Sequence, residues 1–258
     1  MTREGRSVLV TGATSGIGLE VARTIAHRGD HVYLCGRDGG RVAETVEKLC
    51  ADGHTVDGTT CDVRDPEQIT HLVAAAADRF GPTEILVNNA GRTGGGNLPE
   101  ITDDLWHDVL TTNLTSAFLL TRAVVASMCA AGWGRVVNIA STAGKQGVLY
   151  ATPYSASKHG VVGFTKAAAQ ELAPHGVTVN AVCPGYVETP MAQRVRVGFA
   201  EHWGITEQDV LTRFNAKIPL GRYSTPQEVA GLVGYLTTET AGSITAQAMN
   251  VCGGLGNY

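Results

Sequence analysis

Short apolar runs and amphipathic segments alternate along the whole chain, and this alternation limits the available folds more than any other feature. Runs at 7–10, 31–35, 56–63, 85–87, 136–139, 177–182 and 248–251 are short and mostly apolar, with many β-branched residues, as strands require. Between them, apolar residues recur at helical spacing. Ile17, Val21 and Ile25 share a face and Gly29 closes that helix; Val42, Val46 and Leu49 share another over 41–51. Further helices are predicted from Pro66 to Arg79, from about Asp103 to Ala131, over 154–173 and over 226–236. Ile85, Leu86 and Val87 are apolar without a break, which suits a strand covered on both faces. Strand–helix alternation predicts an α/β fold, a doubly wound parallel sheet of about seven strands with helices on both faces. Such sheets take ligands at the carboxyl ends of their strands.

Composition narrows the function. The 258 residues carry 20 Lys+Arg against 24 Asp+Glu, a formal charge of −4, which argues against a phosphate-neutralising nucleic-acid binder. With 43% hydrophobic and 17% charged residues the chain has material for a core. The uncharged stretch between Arg122 and Arg135 is too short to span a bilayer, and the run at 7–10 is too short for a signal-peptide core, so no membrane association is expected. Six cysteines without a C-x-x-C pair predict reduced, mostly buried thiols in a cytoplasmic protein. No His/Cys cluster has zinc spacing, so no metal is expected.

The 32 glycines concentrate attention on Thr11-Gly12-Ala13-Thr14-Ser15-Gly16-Ile17-Gly18, which joins the first strand to the first helix. Glycines there permit a tight turn and let backbone approach a pyrophosphate, and the helix N-terminus adds free N–H groups and a positive dipole. The position predicts a dinucleotide site in a single Rossmann-type domain. The end of the second strand selects the dinucleotide, since an acid there binds a ribose 2′-hydroxyl and an arginine a 2′-phosphate. Arg37 follows that strand directly, with Asp38 next; Thr11 and Arg37 together point to NADPH, although Arg37 also reads as an ordinary solvated charge. Asp62, before Val63, either meets the adenine amino group or caps the next turn.

A second constellation carries chemistry. In Tyr154-Ser155-Ala156-Ser157-Lys158 the phenol and amine are four residues apart, on one helix face. A phenol of ordinary pKa about 10 is a poor acid at neutral pH, and a neighbouring ammonium lowers that value. Ser141 ends the fifth strand, where its hydroxyl can hold a carbonyl oxygen beside Tyr154, and Asn88-Asn89-Ala90-Gly91 follows the fourth.

The glycine turn at 11–18, Asn-Asn-Ala-Gly at 88–91, Asn113, Ser141, Tyr154 with Lys158, and Pro184-Gly185 with Thr189 together resemble the short-chain dehydrogenase/reductase family over essentially the whole chain. The resemblance implies that Tyr154 protonates a carbonyl oxygen, that Ser141 orients it, and that Lys158 bonds the nicotinamide ribose and lowers the Tyr154 pKa. Asn113 would hold a water linking Lys158 to solvent. The implied cofactor wall comprises Thr11, Gly12, Thr14, Ser15, Gly16, Ile17, Gly18, Arg37, Asp62, Val63, Asn89, Ala90, Gly91, Tyr154, Lys158, Pro184, Gly185, Val187 and Thr189.

The segments 138–142, 144–147 and 153–166 and the tail Asn250-Val251-Cys252-Gly253-Gly254-Leu255-Gly256-Asn257-Tyr258 are similar to the ketoreductases of aromatic (type II) polyketide synthases, actinorhodin type. That implies reduction of one ketone, usually at carbon 9, of a poly-β-ketone on an acyl carrier protein, with NADPH, by a homotetramer. Implied substrate contacts are Gly94, Gly95, Gly96, Ser141, Thr142, Gln146, Val148 and Tyr186. The alternative within the family is a 3-oxoacyl-carrier-protein or other small-ketone reductase; a non-catalytic dinucleotide-binding protein would need neither Tyr154 nor Lys158. One departure stands out, for Thr93 occupies a position where these ketoreductases commonly have proline, which frees a φ angle next to 94–96. The irregular insertion at 186–225, with Met191, Phe199, Trp203 and Phe214, is predicted to be a substrate lid. Its Arg194, Arg196, Arg213, Lys217 and Arg222 would form a basic rim for an acidic carrier protein. Val161, Val162, Ala168 and Ala169 are expected at a subunit contact, with 252–258 against a neighbouring subunit.

Overall fold

The computed structural model describes residues 5–256, so Asn257 and Tyr258 of the tail lie outside the described residues. Seven strands form one sheet: β1 (Ser7–Thr11), β2 (His31–Gly36), β3 (Val56–Thr60), β4 (Ile85–Asn88), β5 (Gly134–Ile139), β6 (Val177–Pro184) and β7 (Ala248–Val251). Their order is β3-β2-β1-β4-β5-β6-β7 and every pair is parallel, as the alternation predicts. The direction of winding reverses between β1 and β4, which opens a crevice at their carboxyl ends.

Helices cover both faces because the central strands are apolar on both sides. Val8, Val10, Val32, Leu34, Ile85 and Val87 pack under α1 (Gly16–His27) and α9 (Pro226–Leu236). On the other face Leu9, Leu86, Val136 and Val179 meet Leu72 of α3 (Pro66–Phe80) and Leu120, Val124 and Met128 of α5 (Ser116–Ala131). α2 (Gly39–Ala51), α4 (Asp103–Leu110) and α6 (Thr152–Leu172) complete the body. The insertion at 186–225 contains two helices, α7 (Pro190–Trp203) and α8 (Glu207–Asn215).

Four expectations need correction. β3 stops at Thr60 rather than Val63, because the Asp62 carboxylate accepts from the Arg64 N–H at 3.0 Å and turns the chain. The helix expected from Asp103 to Ala131 is interrupted by a π-helical turn, Thr111–Thr115. This continuous run is long and apolar enough to cross a membrane by length and composition, since Arg122 alone does not break it. In the fold one face of its second half, with Ala117, Leu120, Val124 and Met128, is buried, and Leu120, Val124 and Met128 pack on the sheet. Finally, Val161, Val162 and Ala169 face their own core; the exposed face of α6 carries His159, Gly163 and Lys166.

Candidate active site

The glycine turn is clamped to β4. Thr11 Oγ1 accepts from the N–H groups of Asn89 and Ala90, both at 3.1 Å, and Asn89 Nδ2 donates to the carbonyls of Thr11 and Gly12 at 3.0 Å. Asn89 therefore builds the site by tying two strand ends together. Gly12 has φ +65°, and a Cβ there would stand 2.8 Å from Ala90 Cα; at Gly18 it would stand 2.4 Å from the Gly12 carbonyl. Both positions exclude any side chain. Ser15 precedes α1 in extended backbone without a capping bond from its side chain, and no acid stands in the first turn of α1. Those N–H groups, Thr14, Gly16 and Ile17 are thus disposed to accept a phosphate.

At the end of β2, Gly36 is packed against Thr14, and Arg37 is exposed. Asp38 is the cap of α2, its carboxylate accepting from the Arg41 N–H at 3.2 Å, so that oxygen is engaged with the helix start. Asp62 is bound by Arg64, whose guanidinium also reaches Asp108 at 2.8 Å; Arg64 holds the Asp62 carboxyl below its ordinary pKa. Arg92 pairs with the same Asp108. Val63 points into the core, so only its backbone can face a ligand.

Ser141, Tyr154 and Lys158 come together at the carboxyl end of β5. Ser141 caps a short 3₁₀ turn, its hydroxyl accepting from the Ala143 N–H at 3.1 Å, and that hydroxyl acts to lower the Tyr154 phenol pKa. Lys158 is buried, donates to the Ile139 carbonyl at 2.8 Å and stands 5.8 Å from the centre of the Tyr154 ring. Burial pushes the Lys158 ammonium down to about 8. Burial also pushes the Tyr154 phenol above its ordinary value, with the Ser141 hydroxyl opposing. The expected lowering by Lys158 is thus not seen in the protein alone, where burial of the phenol dominates.

Asn113 sits in the π-helical turn. Its Oδ1 accepts from the Arg92 N–H at 2.8 Å, and its Nδ2 donates to the Arg92 carbonyl and to Ser157 Oγ, both at 3.0 Å. Ser157 Oγ in turn donates to the Tyr154 carbonyl at 2.7 Å. Nothing in the spacing of Tyr154 and Lys158 marks Ser157 between them; its full burial and its bonds to Asn113 and the Tyr154 carbonyl do. A cradle for a cofactor is present beside these groups. A Cβ on Gly91 would lie 3.3 Å from Asn113 Oδ1 and 3.7 Å from Lys158 Nζ, so a larger residue there would press on the Asn113 side chain.

Other predicted contacts have different partners. Gly185 packs against Cys252, where a Cβ would come within 2.8 Å, while Pro184 is the last residue of β6 and pairs with Val251. Val187 is buried and bridges to Ser224. Thr189 caps α7 and lies against Gly16. Tyr186 is stacked between Phe214 and Tyr223, ring centres 4.9 and 5.2 Å apart. Thr142 is buried behind Ser141; Gln146 and Val148 are exposed nearby. Of the basic rim, Arg196 is buried on Glu188 and Glu207, and Arg222 is paired with Glu228, leaving Arg194, Arg213 and Lys217 at the surface.

The model of the short chain dehydrogenase family matches residues 6–198. The chain belongs to that family. It is 61% identical over 255 residues, 98% of each chain, to a Streptomyces virginiae protein named as the ketoacyl reductase of the monensin polyketide synthase. It is 59% identical, over 97% of this chain and 93% of the relative, to a ketoacyl reductase named for the granaticin polyketide synthase of Streptomyces violaceoruber. A crystal structure of a single-substitution variant of the actinorhodin polyketide ketoreductase with NADPH superposes with a TM-score of 0.97 at 53% identity, covering 100% of both chains.

Proposed function

We propose that the protein is an NADPH-dependent ketoreductase that reduces a ketone, at carbon 9, of a poly-β-ketone held on an acyl carrier protein. The observation that carries the reading is the meeting of Ser141, Tyr154 and buried Lys158 at the carboxyl end of β5, with Lys158 Nζ 5.8 Å from the centre of the Tyr154 ring, beside the clamped glycine turn. The identity to polyketide synthase ketoacyl reductases over nearly the full length supports it, and favours it over a fatty acyl or small-ketone reductase.

NADPH, when bound, supplies the hydride. The phosphates would lie on the first turn of α1 and on Gly12, Thr14 and Ser15, with Arg37 at the 2′-phosphate. Ser141 holds the ketone oxygen by its hydroxyl. Tyr154 donates its phenolic proton to that oxygen, so no alkoxide is left in a poorly solvated cleft. A phenol raised by burial remains the neutral O–H donor that reduction needs. Lys158 stabilises the resulting phenolate and bonds the ribose. Both amide protons of Asn113 are already used, so a water leading to Lys158 would rest on its carbonyl oxygens.

Arg194, Arg213 and Lys217 on the lid would steer an acidic carrier protein toward the cleft. The enzyme works as a homotetramer in the cytoplasm under this reading, and the chain is one domain with the lid inserted at 186–225. The test is NADPH oxidation with trans-1-decalone, followed by product profiling beside a minimal polyketide synthase. Turnover with a reduced polyketide product is expected; NADPH binding without any ketone turnover would overturn the reading.

A further inference from the structure

Tyr150 has a left-handed backbone with φ 61°, a conformation shared among the described non-glycine residues only by Ala246. An aromatic residue is strained there, so the surrounding structure must hold it. Three contacts do so. The Tyr150 carbonyl accepts from the Gly96 N–H at 2.9 Å. Gly95 presses on that same carbonyl so closely that a Cβ on Gly95 would fall 1.9 Å from it. The Tyr150 ring stands edge-on to His202 of the lid helix α7, centres 6.1 Å apart. Just after it, Ala151 precedes α6 as its N-terminal cap residue, its carbonyl accepting from the N–H of Ser155, one residue beyond Tyr154, at 2.8 Å.

Tyr150 is therefore the point where three walls meet: the 94–96 loop, the segment leading into the Tyr154 helix, and the lid. Gly94 is fixed from behind, since a Cβ there would lie 2.4 Å from Val109 Cγ2. With Thr93 freeing the φ angle that proline would fix, the loop takes its shape from Tyr150 and Val109. The neighbouring Val148 and Leu149 are 39% and 75% exposed, an apolar lip suited to a ring-forming, largely apolar ketone.

We propose that Tyr150 is a specificity-determining positioning residue. Its left-handed carbonyl sets the 94–96 wall of the ketone cleft, and its ring ties that wall to the lid. The proposal rests on the ketoreductase reading for its substrate, but its structural part does not need turnover.

The test compares Tyr150→Val, which resists a left-handed backbone, with Tyr150→Asn, which accepts one, and Tyr150→Phe, which keeps the ring. For Tyr150→Val the KM for trans-1-decalone should rise about tenfold, a cost of the size that lost ground-state binding gives. Its kcat should stay within about threefold and NADPH binding should not change, because the residue touches neither the reacting atoms nor the glycine turn. The enantiomer ratio of the alcohol should erode. Tyr150→Asn should keep the enantiomer ratio while raising KM, and Tyr150→Phe should behave as the parent. Amide exchange at Gly96 should accelerate in Tyr150→Val only. An unaltered ketone KM and enantiomer ratio in Tyr150→Val, or unchanged Gly96 exchange, would overturn the proposal. A parent enzyme that turns over no ketone would overturn the ketoreductase reading, and Gly96 exchange would then decide the structural part.

Discussion

Tyr154 is the proposed proton donor, and its replacement tests one atom. Tyr154→Phe keeps the ring and its packing and deletes the O–H, so kcat should drop by about 10²–10⁴-fold, the usual share of a positioned general acid. NADPH binding, read by fluorescence titration, should survive. Lys158 makes a pH prediction. Burial places its amine at about 8, so the charge is present below that pH and lost above it. If the ammonium holds the ribose, NADPH affinity should weaken as pH rises from about 7 to about 9.5, with the midpoint near that value. In Lys158→Arg the charge persists and this fall should vanish; a parent whose affinity is flat over the range would remove Lys158 from cofactor binding. Arg37 makes the third residue-scale prediction. Asp38 caps α2, and Arg37→Asp should weaken NADPH about tenfold or more while sparing NADH, measured as the ratio of dissociation constants.

At the scale of elements, the site depends on the seating of α6. Asn88 Nδ2 donates to Asn138 Oδ1 at 2.8 Å, and Asn138 Nδ2 donates to Thr165 Oγ1 at 2.9 Å, so β4, β5 and α6 are joined by buried amides. The strands carry Asn88 and Asn138 at matched register, which makes the chain of bonds possible. Asn138→Ala should remove both of these bonds, leaving Asn88 Nδ2 on Thr121 Oγ1 and Thr165 Oγ1 on the Val161 carbonyl, and cost about 1 kcal/mol in denaturant unfolding. A parent-like midpoint would show that water repairs the gap. The lid has a comparable post in Arg196, whose guanidinium bonds Glu188 at 2.8 and 2.9 Å and Glu207 at 3.0 Å. An arginine in that setting reads in the sequence as one more surface charge, because nothing in the spacing reveals that both acids fold over it.

At the scale of the molecule, α5 and α6 present an exposed aromatic pair, with the Arg122 guanidinium 4.9 Å from the centre of the Phe118 ring. Phe118 is 41% exposed and meets Phe164 edge-on at 6.3 Å, with Ala123 and Ala126 exposed on the same helix and Gly163 across from them on α6. A second copy covering this face would account for it, and multi-angle light scattering should give a tetramer at micromolar concentration, with Phe118→Glu reducing its order. A monomeric parent would refute the assembly. The alternation of strand and helix, the glycine turn and the Ser141, Tyr154 and Lys158 set were legible in the sequence, because strand and helix periodicity and motif spacing are local properties of the chain. Arg37 beyond the second strand was legible for the same reason. What the tertiary structure decided were the properties that come from distant segments meeting. Asn89 and Asn113 became clamps, Gly185 a seat for Cys252, and Asp38 a helix cap. The protonation of the pair was decided there as well. Spacing puts Tyr154 and Lys158 on one face, but only burial fixes their charge, and burial is set by every segment that packs around them.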